Sequence, residues 1–138
     1  MEKNREPDRA VILAGGKGRR LAPYTTILPK PLMPIGDIPI LEVVVRQLKY
    51  FQFRRITFSV GHLANLIEAF FGDGAKNGVA IDYSVEDTPL GTAGPLTLID
   101  DLDRTFLVMN GDILTTLDFR AFMQYHREQN AIATICIF

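Results

Sequence analysis

The sequence predicts an α/β fold built on a mostly parallel sheet, and three observations carry that reading. Short apolar runs rich in β-branched residues alternate with segments whose apolar residues recur at helical 3-and-4 spacing. Several of the apolar runs stop at a glycine-containing loop. The strands are separated by segments long enough for crossover helices, which cover a parallel sheet on both faces.

In order, Ala10–Ala14 reads as a buried strand that stops at Gly15-Gly16. Pro39 opens a helix carrying Leu41, Val44, Val45 and Leu48 on one face, because proline is pre-set for a first helical turn. Ile56–Val60 is the second strand, and Leu63–Phe71 a short helix closed by Gly72-Asp73-Gly74. Val79–Val85 and Phe106–Met109 are the third and fourth strands. Asp118 is placed to cap a helix from Phe119 to Glu128, and Ala131–Phe138 reads as a fifth strand. Phe51, Phe53, Phe70 and Phe71 are assigned to packing, and His62 and His126 to cap, solvent or polar-face roles.

The chain has 138 residues, 47% of them apolar and 22% charged, a composition that sustains a folded core and excludes a disordered chain. Fifteen Lys and Arg against sixteen Asp and Glu leave a net charge of −1, which excludes a general nucleic-acid or membrane-surface binder. A nucleotide remains open, since a few local cations suffice for it. The single cysteine, Cys136, excludes a disulfide framework and a multi-thiolate zinc site, and its apolar surroundings read as a buried small hydrophobe. The amino terminus lacks the order of a signal peptide, and no apolar run is long enough to span a bilayer, so a cytoplasmic location is expected. Residues 1–9 read as a flexible extension and 10–138 as one domain piece. Because the chain stops on Ile135-Cys136-Ile137-Phe138, inside an apparent core strand, the reading expects an amino-terminal piece of a longer domain, incomplete at its carboxyl end. Uncovered edges of such a piece leave room for a homo-oligomer.

Four loops carry chemistry. Leu13-Ala14-Gly15-Gly16-Lys17-Gly18-Arg19-Arg20 places three glycines and three cations directly after a strand, which lets backbone N–H groups approach an anion. It matches neither the P-loop spacing nor the dinucleotide fingerprint, and a functionless turn is its plain alternative. Pro29-Lys30-Pro31 presents a lysine from a stiffened backbone, suited to a phosphate, although a solvated loop lysine would look the same. Asn110-Gly111-Asp112 follows a strand where doubly wound sheets bind ligands. Asp112 there suits Mg²⁺ shared with phosphates, or else serves as a cap or turn residue. In Glu86–Pro95, Thr92 is placed to cap a helix starting at Ala93, leaving free N–H groups beside a ligand.

Together these segments resemble the sugar-1-phosphate nucleotidyltransferases, the sugar-nucleotide pyrophosphorylases. The matching stretches are Leu13-Ala14-Gly15-Gly16-x-Gly18-x-Arg20-Leu21, Pro29-Lys30-Pro31-Leu32, Pro39-Ile40-Leu41, Pro89-Leu90-Gly91-Thr92-Ala93-Gly94 and Asn110-Gly111-Asp112. The resemblance covers the chain from Ala10 onward. It implies a Rossmann-like three-layer αβα sandwich that joins a nucleoside triphosphate to a sugar 1-phosphate, giving a nucleotide sugar and pyrophosphate. It further implies that the Gly15–Arg20 loop wraps the triphosphate, with Arg20 at the β and γ phosphates. Lys30 then stands beside the α-phosphate, Asp112 holds Mg²⁺, and Gly91 lines the nucleoside pocket. Leu13, Ala14, Pro89 and Thr92 complete that nucleotide site.

Two positions depart from the family pattern. Arg19 stands where threonine is common and either reaches a phosphate or is solvated. Glu86 stands where many relatives carry a base-contacting glutamine, and a carboxylate accepts from guanine N1–H and N2 better than it meets uracil or thymine. The surrounding run also resembles the mannose-1-phosphate guanylyltransferase branch, so GTP is the expected nucleotide unless Glu86 faces solvent. Thymidylyl, uridylyl or cytidylyl transfer and an inactive regulatory paralogue are the alternatives. The second metal-binding aspartate and most of the sugar pocket of the family have no counterpart in the chain. Asp118, Asp100 and Asp101 are not assigned to them.

Overall fold

A computed structural model describes residues 8–137 of the chain. In chain order the elements are β1 (Arg9–Leu13), β2 (Pro34–Ile35), β3 (Ile38–Pro39), α1 (Ile40–Tyr50), β4 (Arg55–Val60), α2 (Ala64–Phe71), β5 (Ala80–Val85), β6 (Phe106–Asn110) and α3 (Phe119–Glu128). Among the described residues, five short 3₁₀ segments punctuate the loops.

The four long strands form one sheet in the order β5-β4-β1-β6, and every pairing in it is parallel. Moving from β1 to β4 to β5 shifts the chain steadily one way, so right-handed crossovers put α1 and α2 on one face. The return from β5 to β6 passes back over β4 and β1 and therefore runs across the other face. Side chains agree. Ile12, Ile56, Phe58 and Val60 join α1, α2 and α3 in one core cluster. The alternate residue Val11 is fully buried yet lies outside that cluster, and its register partner Thr57 is buried as well. Thr57 Oγ1 accepts from the Arg9 Nε and Nη2 groups at 3.3 and 2.8 Å, and Arg9 Nη1 reaches Asp101 in the returning segment at 2.8 Å. The second covering layer is thus a loop with one 3₁₀ segment, Gly94–Leu98, where the other face has α-helices.

Each helix follows from its sequence. In α1 the residues Leu41, Val44, Val45 and Leu48 are fully buried, each contributing about 1.5–3 kcal/mol by leaving water. In α3 the Asp118 carboxylate accepts from the Ala121 N–H at 2.9 Å, the cap read from the sequence. Edge-to-face rings tie the layer together, with Phe51 and Phe53 on Phe119, and Phe71 and Tyr83 on Phe58.

Several expectations are corrected. The fifth strand, Ala131–Phe138, does not form across its described residues: 131–137 make no ladder and leave Ile132, Ile135 and Ile137 exposed. Phe138 lies outside the described residues. A strand needs a partner's N–H and C=O groups as well as apolar side chains, and this run lies along a hollow shared with β6 and α3 without pairing. Cys136 is accordingly exposed, where burial was expected. Phe70, 45% exposed, keeps the packing role expected of it, its ring meeting buried Phe71 edge-on at 4.8 Å. Arg9, expected in a flexible extension, opens β1, and Asp8 pairs with Arg127. Residues 1–7 of that extension lie outside the described residues.

Candidate functional site

The strand order reverses at β1, with β4 on one side and β6 on the other, and the crevice beyond their carboxyl ends is where an open α/β sheet binds ligands. A cleft of about 870 Å³ occupies that position. Its lining includes Leu13, Ala14, Gly15, Gly16, Gly18 and Arg19 from the first loop, Lys30, and Asp112 beyond β6. Glu86, Pro89, Gly91 and Thr92 close it from the loop after β5. Arg20 is the one sequence-selected residue that does not line the cleft. It sits exposed on the 3₁₀ turn Arg19–Leu21, one residue beyond Arg19, which does face the cleft.

The first loop is shaped by close approaches. Gly18 has φ +58°, a left-handed conformation that favours glycine, and its carbonyl accepts from Leu21 N–H at 2.9 Å to start the 3₁₀ turn. A Cβ on Gly18 would lie 2.8 Å from Thr25 Cγ2. Gly15 and Gly61 meet back to back, a Cβ on Gly61 standing 3.2 Å from the Gly15 carbonyl oxygen. Within the chain, among the described residues, the N–H groups of Gly15 through Arg19 donate no hydrogen bond. Five consecutive free donors at the mouth of a cleft form a cradle for an anion.

Beside the cradle, Lys30 rides a 3₁₀ turn between buried Pro29 and Pro31 and forms an ion pair with Asp112 Oδ2. Both side chains stay partly accessible, at 42% and 31%. The pair joins two loops 82 positions apart, the one proline-stiffened and the other tied to β1 through Gly111 N–H to Leu13 O at 3.0 Å. Glu86 Oε2 accepts from the Leu90 N–H at 3.2 Å, which holds the loop after β5. Its Oε1 stands 3.4 Å from where a Gly15 side chain would begin, so Glu86 faces the cradle from within the cleft.

Among the described residues, no three His, Cys, Asp or Glu side chains gather into a metal site. Asp112 alone beside an anion cradle fits a hard cation that draws its other ligands from a bound anion and water, as Mg²⁺ does, and does not fit a metal caged by protein.

Thr92 does not cap a helix. The 3₁₀ turn Gly94–Leu98 has Ala93 at its cap position with no side-chain bond, and Pro95 within its first two residues. Sequence reasoning also missed Gly61, His62 and Ser59, which line the cleft from the end of β4. Gly61-His62 directly after the strand ending at Val60 was the available signal. His62, assigned a cap or solvent role, instead bonds to Thr25 across the loop. His126 likewise is partly buried against Thr134 Oγ1, at 2.8 Å.

The family model described as nucleotidyl transferase matches residues 9–138. A UTP–glucose-1-phosphate uridylyltransferase of Synechocystis is 41% identical over 92% of this chain and 36% of its own length. A mannose-1-phosphate guanylyltransferase of Mycobacterium tuberculosis is 34% identical over 91% and 36%. The crystal structure of HddC from Yersinia pseudotuberculosis complexed with GMP-PN superposes with a TM-score of 0.76 at 30% identity, over 86% of this chain and 54% of that one. The chain spans about 36% of the length of these two curated relatives.

Proposed function

The chain belongs to the nucleotidyl transferase family, and from that premise we propose that it supplies the nucleoside-triphosphate half of a sugar-1-phosphate nucleotidyltransferase. The observation that carries this reading is the pairing of five free N–H groups, Gly15 to Arg19, with the Lys30–Asp112 ion pair across one cleft.

The reaction joins a phosphate oxygen of the sugar 1-phosphate to the α-phosphorus of the triphosphate. The bond from that phosphorus to the bridging oxygen breaks, and pyrophosphate leaves with the electron pair. The attacking oxygen is already anionic near neutral pH, so no side chain has to remove a proton. What must be overcome is repulsion between two anions and charge growing on the leaving group. The Gly15–Arg19 amides present fixed dipoles to the phosphates, and Arg19 adds a cation from the same loop. Lys30 neutralises charge at the reacting phosphate once that phosphate outcompetes Asp112 for the ammonium. Arg20 sits one residue further along the turn, exposed and outside the cleft lining, so a contact from it to the phosphate tail requires its side chain to swing toward the cleft. Asp112 would hold Mg²⁺, which when bound screens the charge of the phosphate tail.

GTP is the nucleotide we favour. The Glu86 carboxylate faces the cleft from the loop that also carries Gly91, and two acceptor oxygens complement the adjacent N1–H and N2 donors of guanine. The uridylyltransferase name of the 41% identical relative makes UTP the second reading. Calorimetric titration of the chain with GTP, UTP, dTTP, CTP and ATP in Mg²⁺ separates them. The expected result is saturable binding led by GTP and weakened in Glu86→Gln. Equal affinity for all five would refute the guanine assignment, and UTP leading would favour the second reading. For the whole protein the expected activity is pyrophosphate release from GTP that depends on mannose 1-phosphate and is lost in Lys30→Ala.

A further inference from the structure

We infer that His62 is a positioning residue for the anion cradle, acting through Thr25; this rests on the reading of the cleft as a triphosphate site. His62 lies outside the glycine loop in sequence, on the turn between β4 and α2, yet its Nε2 stands 3.3 Å from the Thr25 carbonyl oxygen. Thr25 is only 4% exposed, and its Oγ1 donates to the Gly18 carbonyl at 2.9 Å. The same carbonyl accepts the Leu21 N–H. A line of contacts therefore runs from His62 to Thr25 to Gly18, where the cradle turns into the 3₁₀ segment bearing Arg19 and Arg20.

Three features make this line a brace for the loop. Gly18 is left-handed with its carbonyl held by two donors, so the peptide that follows it has a set orientation. Thr25 Cγ2 and Lys30 Cβ crowd the Gly18 α-carbon, at 2.8 and 3.3 Å from a built Cβ, which fixes the distance between the cradle and the lysine turn. The segment holding Thr25, the 3₁₀ turn Tyr24–Thr26, begins on exposed Tyr24, is followed by exposed Ile27, and buries only Thr25 itself. The bond from His62 anchors it to the rigid end of β4, where Val60 is fully buried. For His62 to donate to a carbonyl, Nε2 carries the proton. A glutamine amide can offer a comparable donor, whereas alanine cannot.

The test is calorimetry on the chain with whichever of GTP, UTP and dTTP the wild type binds most tightly, and with its monophosphate. His62→Ala and Thr25→Val should each weaken triphosphate affinity about five- to tenfold, the effect of losing one positioning hydrogen bond. The monophosphate, which uses less of the cradle, should weaken less than twofold. Because the two contacts act in series, the double variant should lose little more than either single variant. His62→Gln and Thr25→Ser should restore most of the affinity. Circular dichroism melting run alongside identifies a variant that is simply unfolded, and the conservative pair then decides. Unchanged triphosphate affinity in folded His62→Ala, or equal weakening of both ligands, overturns the proposal while leaving the triphosphate reading standing. Failure of the wild type to bind any triphosphate overturns both.

Discussion

Two glycines of the cradle, two residues apart, should respond in opposite ways to the same substitution. Gly18 has φ +58°, and a methyl group there meets Thr25 Cγ2 at 2.8 Å. Holding alanine in a left-handed conformation costs roughly 1–2 kcal/mol relative to the usual region. Relieving the contact costs about 1–3 kcal/mol more, because buried Thr25 can turn away only by giving up its bond to the Gly18 carbonyl. Gly18→Ala should therefore destabilise the fold by about 2–5 kcal/mol. At Gly16 nothing lies within 4 Å of the added carbon, and the space it enters is the cleft itself. Gly16→Ala should change stability by less than about 1 kcal/mol while weakening triphosphate binding by blocking the approach of an anion to the amides. Urea unfolding followed by circular dichroism measures the first quantity. With a slope of about 2 kcal/mol/M, Gly18→Ala should lower the midpoint by roughly 1–2.5 M at unchanged slope. Equal midpoints for the two variants, or a Gly18→Ala protein as stable as wild type, would refute the geometry assigned to this loop.

Other consequences follow from the charged groups. Asp112→Asn leaves Lys30 without its ion-pair partner, so binding of GTP without Mg²⁺ should tighten severalfold while the enhancement by Mg²⁺ shrinks, both readable by calorimetry. At the opposite end of the sheet, Asp101 accepts from Arg9 and Arg55 at 2.8 Å each, and these guanidinium groups hold its carboxyl below the ordinary carboxylate range. A depressed folded-state pKa means stability that is present above the unfolded value near 3.9 and lost as pH falls through the folded one. Wild type should thus lose more stability than Asp101→Asn between pH 5 and the acid limit of about pH 2, measured as urea midpoints. Tyr83 is pushed up to about 12, mainly by burial and then by Glu68 and Asp73, while its hydroxyl donates to the Gly72 carbonyl at 2.7 Å. That contribution is complete below the unfolded pKa near 10 and is lost as pH rises toward 12, so Tyr83→Phe should flatten the alkaline fall in stability.

The fold was legible wherever local pattern and tertiary demand coincide. The apolar stripe Leu41, Val44, Val45, Leu48 can be buried in only one way, and Asp118 ahead of an apolar run satisfies the helix it opens. Strand runs such as Ile56–Val60 were equally plain, because burial on both faces of a parallel sheet leaves no polar alternation. Reading failed where a partner decides. Ile132, Ile135 and Ile137 have strand composition but no ladder. The prolines in Pro34–Ile35 and Ile38–Pro39 hid a two-residue hairpin turned by left-handed Gly36, since Pro39 reads more readily as the start of α1. At the site, motif order brought Gly15–Arg19, Lys30, Glu86 and Asp112 into one list, and the sheet places all of them on one cleft. Gly61 and His62 escaped because their roles exist only in space, one through the approach of two backbones and the other through a bond 37 positions away.

The central claim is that a triphosphate lies in the crevice between the ends of β1 and β6. Amide-resolved ¹H–¹⁵N NMR of the chain titrated with GTP and Mg²⁺ tests it most directly, since the free N–H groups of Gly15 to Arg19 are the proposed contacts. Saturable shifts are expected at residues 15–19 and at Gly111 and Asp112, with the amides of α3 and of residues 131–137 unmoved. Saturable binding that leaves residues 15–19 undisturbed, or the absence of binding by a folded chain, would contradict it.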